Sequence, residues 1–411
     1  MFLRADEEPK GGFMRIVGIQ HRVKRTKENE ARPTMVSIET DQNQSASYEL
    51  KDETAELDWL KGNYPISFRI LVDGENYDTI PEHHRVYRDG EVHKIPESYD
   101  GLQNNDLILM ILGGSGDRFA AALAKRGENM GVKVMRVNAD KLKNFREEQG
   151  NGVGKSNDSE LLVRLFEKYP ERFLQFSPRD REIIAVKAAL RNRTEALKAK
   201  VACETNIFQN LIGKIFLNKE GYFPDGSIDQ LYKDAAANDR VLASLEDIVS
   251  QCDKTLEKTV KNCAAWKIFE SIEGVGPRIA AGIIASVGDV RRFSTEHKFK
   301  KFCGVHVMGD AEHGEFPRKR SGSRIDWNPN ARQALYLLAD QFNRRPNSTW
   351  GKVLLEYKAK LHAQHPEPVI VPAANGKGTV KRYTNGHIHK IAMWKTLTKF
   401  VVWLYYEWMK L

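Results

Sequence analysis

The chain has 411 residues, 41% of them hydrophobic and 29% charged, and a formal net charge of +9 at pH 7. That length exceeds one ordinary domain and is enough for two or three separate cores, while no apolar run approaches the roughly 18 residues of a membrane helix. The basic balance leaves two readings, an anionic partner, most commonly nucleic acid, or a merely soluble basic protein.

The N-terminus, "MFLRADEEPKGG", carries acids where a secretory signal would carry its apolar stretch, so a cytoplasmic protein is expected. Through the first 110 or so residues, β-branched segments alternate with polar turns: "FMRIVGIQHRV", "RPTMVSIET", "ISFRILVDG" and "DLILMIL". These read as strands of one sheet. The glycine-rich "GGSGDRFAAALAKRGENMG" then predicts a turn and a helix, and "VKVMRVNAD" another buried strand, which together make a βαβ crossover. A loop, "REEQGNGVGKSN", precedes a helix in "DSELLVRLFEKYP" with Asn157 or Asp158 as its N-cap.

From Pro178 to about Phe269 two long, charged segments carry apolar residues at three- and four-residue steps, separated by "LNKEGYFPDG". An antiparallel helical arm of coiled-coil type is expected, with nothing to catalyse with and suited to spacing or dimerisation in preference to direct DNA contact. The remainder reads as mostly helical, interrupted by a Pro/Gly/basic loop in "HPEPVIVPAANGKGTVKRYTNG". The four cysteines, Cys203, Cys252, Cys263 and Cys303, form no CxxC pair and read as reduced, mostly buried thiols.

Within "SIEGVGPRIAAGIIASVGDVRRF", Gly274 and Gly276 turn the chain and Pro277 starts the next helix. This is the pattern of a helix-hairpin-helix, in which glycines let the backbone approach a phosphate and the second helix's first N–H groups meet it. Arg278 adds charge. A tight helix connection that binds nothing gives the same local pattern. Downstream, "FPRKRSGSR" packs Arg318, Lys319, Arg320 and Arg324 into one loop, which is either a DNA contact or a solvated basic face. The C-terminal Trp394, Trp403, Tyr405, Tyr406 and Trp408 recur at helical spacing beside Leu397, Phe400 and Leu404, and read mostly as core.

The stretch "IEGVGPRIAAGIIASVGDVRRFSTEHKFKKFCGV" resembles the C-terminal domain of the insertion-sequence 110 transposase family, which includes Piv-type DNA invertases. The later "RIDWNPNARQALYLL" and "GHIHKIAMWKTLTKFVVWLYYEW" are similar to that domain's tail. The resemblance implies three parts: an α/β RuvC-like, ribonuclease H-related domain over 1–177, a helical coiled-coil arm over 178–264, and a mainly α transposase domain with a helix-hairpin-helix over 265–411. It implies cleavage and exchange of double-stranded DNA, a homodimer or tetramer and, in some members, a guide RNA. Four acids in Asp-Glu-Asp-Asp order are implied to bind Mg²⁺, whose hard character suits carboxylates, while a serine attacks DNA.

Carried over position by position, the four acids fall on Gln20, Gly113, Asn157 and Asp158. Asp158 alone is acidic. Asp73 is then the first candidate to complete the metal site with Asp158, and Glu75, Asp117 and Asp140 are weaker ones. Ser321 is the implied nucleophile, with Ser323 beside it. This departure leaves a rival reading, a catalytically inactive DNA- or RNA-binding protein of the same descent, and a third, a helical scaffold whose basic face is incidental.

Overall fold

The computed structural model describes residues 15–23, 25, 30–40, 42, 44–150, 157–308, 316–318, 325–372 and 378–411. Two compact units divide the chain, Met1–Pro178 and Arg179–Leu411.

The first unit opens with an antiparallel meander, β1 (Arg15–Gln20), β2 (Thr34–Thr40) and β3 (Ser45–Leu50). Helix α1 (Glu53–Lys61) follows, capped by the Asp52 side chain and ended by Gly62 in the left-handed conformation. Strands β4 (Tyr64–Ile70), β5 (Val86–Arg88) and β6 (Glu91–Asp100) form a separate three-stranded sheet in the order β4-β6-β5. The single sheet expected from the sequence is therefore two. The reason lies in β4, whose Ile66, Phe68 and Ile70 stay 42%, 43% and 63% exposed: its apolar side chains do not reach the main core.

The main sheet continues with β7 (Asp106–Leu112), α2 (Asp117–Gly127), β8 (Lys133–Asn138), α3 (Ala139–Glu148), α4 (Asp158–Lys168) and β9 (Phe173–Gln175). Its order is β3-β2-β1-β7-β8-β9. The near-continuous apolar run of β7 fits a central strand covered on both faces, paired in parallel with β1 and with β8. The β7-α2-β8 crossover matches the one expected.

Arg15 fixes the β1/β7 register. Its guanidinium donates to both carboxylate oxygens of Asp106, each at 2.9 Å, to Asp100 at 2.9 Å and to the Gly101 carbonyl at 2.6 Å. Asp106 is fully buried, so this fork supplies its counter-charge in the core. Gly18 admits α4 onto the sheet, since a Cβ there would stand 2.0 Å from the Ser159 carbonyl oxygen. Ser37, its partner across the ladder, donates to the Ser159 hydroxyl at 2.8 Å.

The second unit begins with the arm, α5 (Pro178–Phe216), α6 (Ile228–Ala237) and α7 (Arg240–Lys261). Arg193 meets Asp253, Lys200 meets Glu246, and the Phe208 ring meets Tyr232. As one strand of the arm climbs the other descends, which is antiparallel pairing. The second half is broken where Asp239 caps α7. At the base, Ile183, Val186, Leu256 and Val260 enter the unit's core.

That core is built from α8 (Trp266–Glu270), α9 (Pro277–Val287), α10 (Glu296–Cys303), α11 (Pro329–Arg344) and α12 (Thr349–Gln364). Small residues bring α9 against α11, where a Cβ on Gly282 would lie 3.0 Å from that of Ala334. The segment expected as a loop carries a hairpin, β10 (Val369–Pro372) with β11 (Thr379–Arg382), in which the β-branched Val371 and Val380 stand opposite each other. The final helix, α13 (Asn385–Met409), buries Ile388, Ala392, Thr396, Phe400, Leu404 and Trp408 at four-residue steps. No described helix is long and apolar enough to cross a membrane.

Replacing Arg15 by alanine leaves Asp106 buried without its fork, and should lower the unfolding free energy of the first unit by about 3–5 kcal/mol. Urea denaturation followed by circular dichroism measures this.

Candidate functional site

Two regions bear the residues singled out by sequence. The first is the edge of the main sheet where the parallel strands β1, β7 and β8 end, at Gln20, Leu112 and Asn138. In open α/β sheets this carboxyl edge is where ligands bind. Gln20 is buried at 7% exposure. Gly113 holds φ +88 with open space where a Cβ would project. After it, the Ser115 hydroxyl donates to the Arg22 carbonyl at 3.0 Å, and its oxygen lies 2.9 Å from His21 Nδ1. His21 Nε2 lies 3.3 Å from Glu56, which also accepts from Thr34 at 2.6 Å. Burial favours protonated Glu56, but bonds from His21 and Thr34 and the charge of Arg22 outweigh it and hold the carboxyl below its ordinary value.

The acids near this edge face arginines. Asp117 accepts from the Gly113 N–H at 2.9 Å and lies 3.5 Å from Arg136, which is 3% exposed. Asp158, 4% exposed at the start of α4, accepts from Arg146 of α3 at 3.0 and 2.5 Å. Asn157 adjoins it outside the helix. Asp73 sits elsewhere, exposed on the turn after β4 in the three-stranded sheet, and Glu75 beside it is paired with Arg69. Asp140 is exposed in the first turn of α3. Sequence reasoning missed Arg136 and Arg146, because an arginine in an amphipathic segment gives no sign of which carboxylate it will meet.

The second region is the glycine turn between α8 and α9. Gly274 takes φ +85, and the Arg345 guanidinium lies over it, 2.7 Å from where a Cβ would stand. Gly276 differs. Its φ is −88 and nothing lies within 4 Å of its Cβ position, so that face of the helix start is open. Ile279 and Ala280 both donate to the Gly276 carbonyl, whereas the N–H groups of Gly276 and Arg278 meet no backbone acceptor among the described residues. Arg278 is 65% exposed in its side chain and donates to Asp253 at 3.1 and 2.7 Å, a carboxylate it shares with Arg193. Two arginines on one aspartate leave a net positive charge beside the open N–H groups.

Arg318 is exposed. Lys319, Arg320, Ser321, Ser323 and Arg324 lie outside the described residues. His387 serves a cap, its Nδ1 accepting from the Tyr383 N–H at 2.9 Å. Of the C-terminal aromatics, Tyr405 and Trp408 are buried, Trp394 and Trp403 pack against the core, and Tyr406 is 52% exposed.

Residues 266–353, from the first residue of α8 into α12, match the family model described as Transposase IS116/IS110/IS902 family. The match spans about a fifth of the chain and includes the whole glycine turn. No curated protein matches the chain.

Two outcomes follow from this geometry. Gly274→Ala forces a side chain into the left-handed region and should cost about 1–2 kcal/mol, whereas Gly276→Ala should change stability by less than about 0.5 kcal/mol; thermal melts of both variants compare them. Because folding depresses the Glu56 carboxyl, its stabilisation is present above the ordinary value of 4.5 and is lost as pH falls through the folded value. Urea midpoints measured down the acid limb should therefore fall less steeply in Glu56→Gln than in the unmodified chain.

Proposed function

We propose that this protein is a DNA transposase or recombinase of the insertion-sequence 110 kind, acting on double-stranded DNA. One observation carries the reading: the segment that matches the transposase model also holds a helix start whose N–H groups at Gly276 and Arg278 meet no backbone acceptor among the described residues, beside two arginines that share one aspartate. Such a start suits a phosphate, and contacts of this type position DNA without reading its sequence. On this reading α8, the turn and α9 act as a helix-hairpin-helix, and the basic loop containing Arg318, Lys319, Arg320 and Arg324 extends the phosphate-contacting surface. The arm serves spacing or self-association into a dimer or tetramer, a guide RNA is a further partner, and the protein works in the cytoplasm.

The RuvC-like assignment of the first unit is supported by the sheet order, which sets the ends of β1 and β7 side by side. Those ends carry the positions that the resemblance gives to metal ligands. The described residues do not fit Mg²⁺ there. Gln20 is neutral, Gly113 has no side chain, Asp158 is held by Arg146, and Asp73 is on a turn of the other sheet. An arginine on the one matching acid supplies the charge that a hard dication would otherwise supply.

That same pair favours a second reading, a DNA- or RNA-binding protein of transposase descent without a nuclease centre. The readings separate on supercoiled plasmid with magnesium present. A transposase nicks or exchanges strands and loses that activity in Asp158→Ala and in Ser321→Ala; a binding protein yields no nicked product while still shifting the DNA.

Duplex binding tests what the two share. Affinity should fall steeply with salt, and Arg318→Ala should reduce the slope of log K against log salt by about 1. Absence of duplex binding at low salt would remove both readings in favour of the helical scaffold.

A further inference from the structure

We propose that Asp58, His83 and His84 bind one divalent transition-metal ion, with zinc the best match to the donor set. Asp58 projects from α1 and is 8% exposed, while both histidines lie on a single 3₁₀ turn, Glu82–His84, that follows Pro81. The two Nε2 atoms each stand 2.9 Å from the same oxygen, Asp58 Oδ2. The rings meet edge to face with centroids 4.2 Å apart. All three donor atoms fall within 4.8 Å of one another, and no other such trio of His, Cys, Asp or Glu occurs among the described residues.

The distances suit a small ion. Tetrahedral zinc, with bonds of about 2.0–2.2 Å, spaces its ligand atoms about 3.3 Å apart, so each nitrogen-to-oxygen separation has only to open by about 0.4 Å. Charge points the same way. Among the described residues, the ion-pair partners of Asp58 are these two histidines alone, with no lysine or arginine. The buried carboxylate thus has no fixed cation beside it, and a dication between the three groups supplies that charge.

Two imidazoles and one carboxylate favour zinc over magnesium or calcium, which prefer all-oxygen shells. The His83 side chain is 47% exposed, so one flank of the trio opens to solvent and water completes a four-coordinate shell, as in open zinc sites. The His84 Nδ1 is buried without a hydrogen-bond partner. Ligating histidines ordinarily donate that N–H to a carboxylate or carbonyl, and lacking it weakens a site by about 10–100-fold. A modest affinity is therefore expected. The ion would tie α1 to the segment between β4 and β5, and its presence does not depend on the transposase reading.

The test is zinc chloride titrated by calorimetry into the full-length chain stripped of metal, with cobalt(II) absorbance as a second readout. The unmodified protein should take up one zinc per chain, melt at a higher temperature with zinc, and give the visible bands of four-coordinate cobalt. His83→Ala, at a half-exposed position where folding should survive, and Asp58→Asn should each weaken binding at least about tenfold and remove the thermal shift. If Asp58→Asn fails to fold, His83→Ala alone decides. No zinc uptake by the unmodified chain would overturn the proposal, as would uptake equal in His83→Ala, which would place the ion on other histidines such as His387 or His389.

Discussion

The buried fork between Arg15 and Asp106 sets the alignment of the first unit. Register partners at the starts of β1 and β7, they hold the two strands in parallel with no slip. A slip of one residue would turn every side chain of β1 to the opposite face. With the starts fixed, the ends are fixed too, and Gln20 arrives beside the glycine turn that follows Leu112. Gly18, midway along β1, lets α4 lie close enough for Asp158 to come near the sheet. The candidate centre is thus placed by groups that take no part in its chemistry.

What the edge then presents is a set of satisfied charges. Asp117 and Asp158 each meet an arginine, and Glu56 is held ionised within a chain of bonds through His21 to Ser115. Low-dielectric surroundings make an unpaired carboxylate costly, so buried acids are stable where the protein sets cations beside them. Arg136 and Arg146 do this. Their presence goes with the absence, at Gln20 and Gly113, of the acids that the resemblance implies.

The second unit shows the reverse arrangement. Around the glycine turn the hydrogen-bonding groups are left open instead of closed, with Gly276 facing empty space while Gly274 is covered by Arg345. Two glycines two residues apart therefore do different work. One accommodates a backbone conformation and a crossing guanidinium, and the other leaves a helix start accessible.

Much of this was legible in the residues. Apolar runs and periodicity gave the β7-α2-β8 crossover, the arm's long helices and the core face of α13, because burial of a face imposes its period on the chain. The glycine-proline-small-residue stretch marked the segment that matches the transposase model. Other features came only with folding in three dimensions. That β4 joins a second sheet, that Arg146 closes on Asp158, and that Asp58 gathers His83 and His84 all rest on contacts between segments whose local patterns are ordinary. Sequence period reports which face is buried; it carries no record of which charged group, distant along the chain, will stand opposite it.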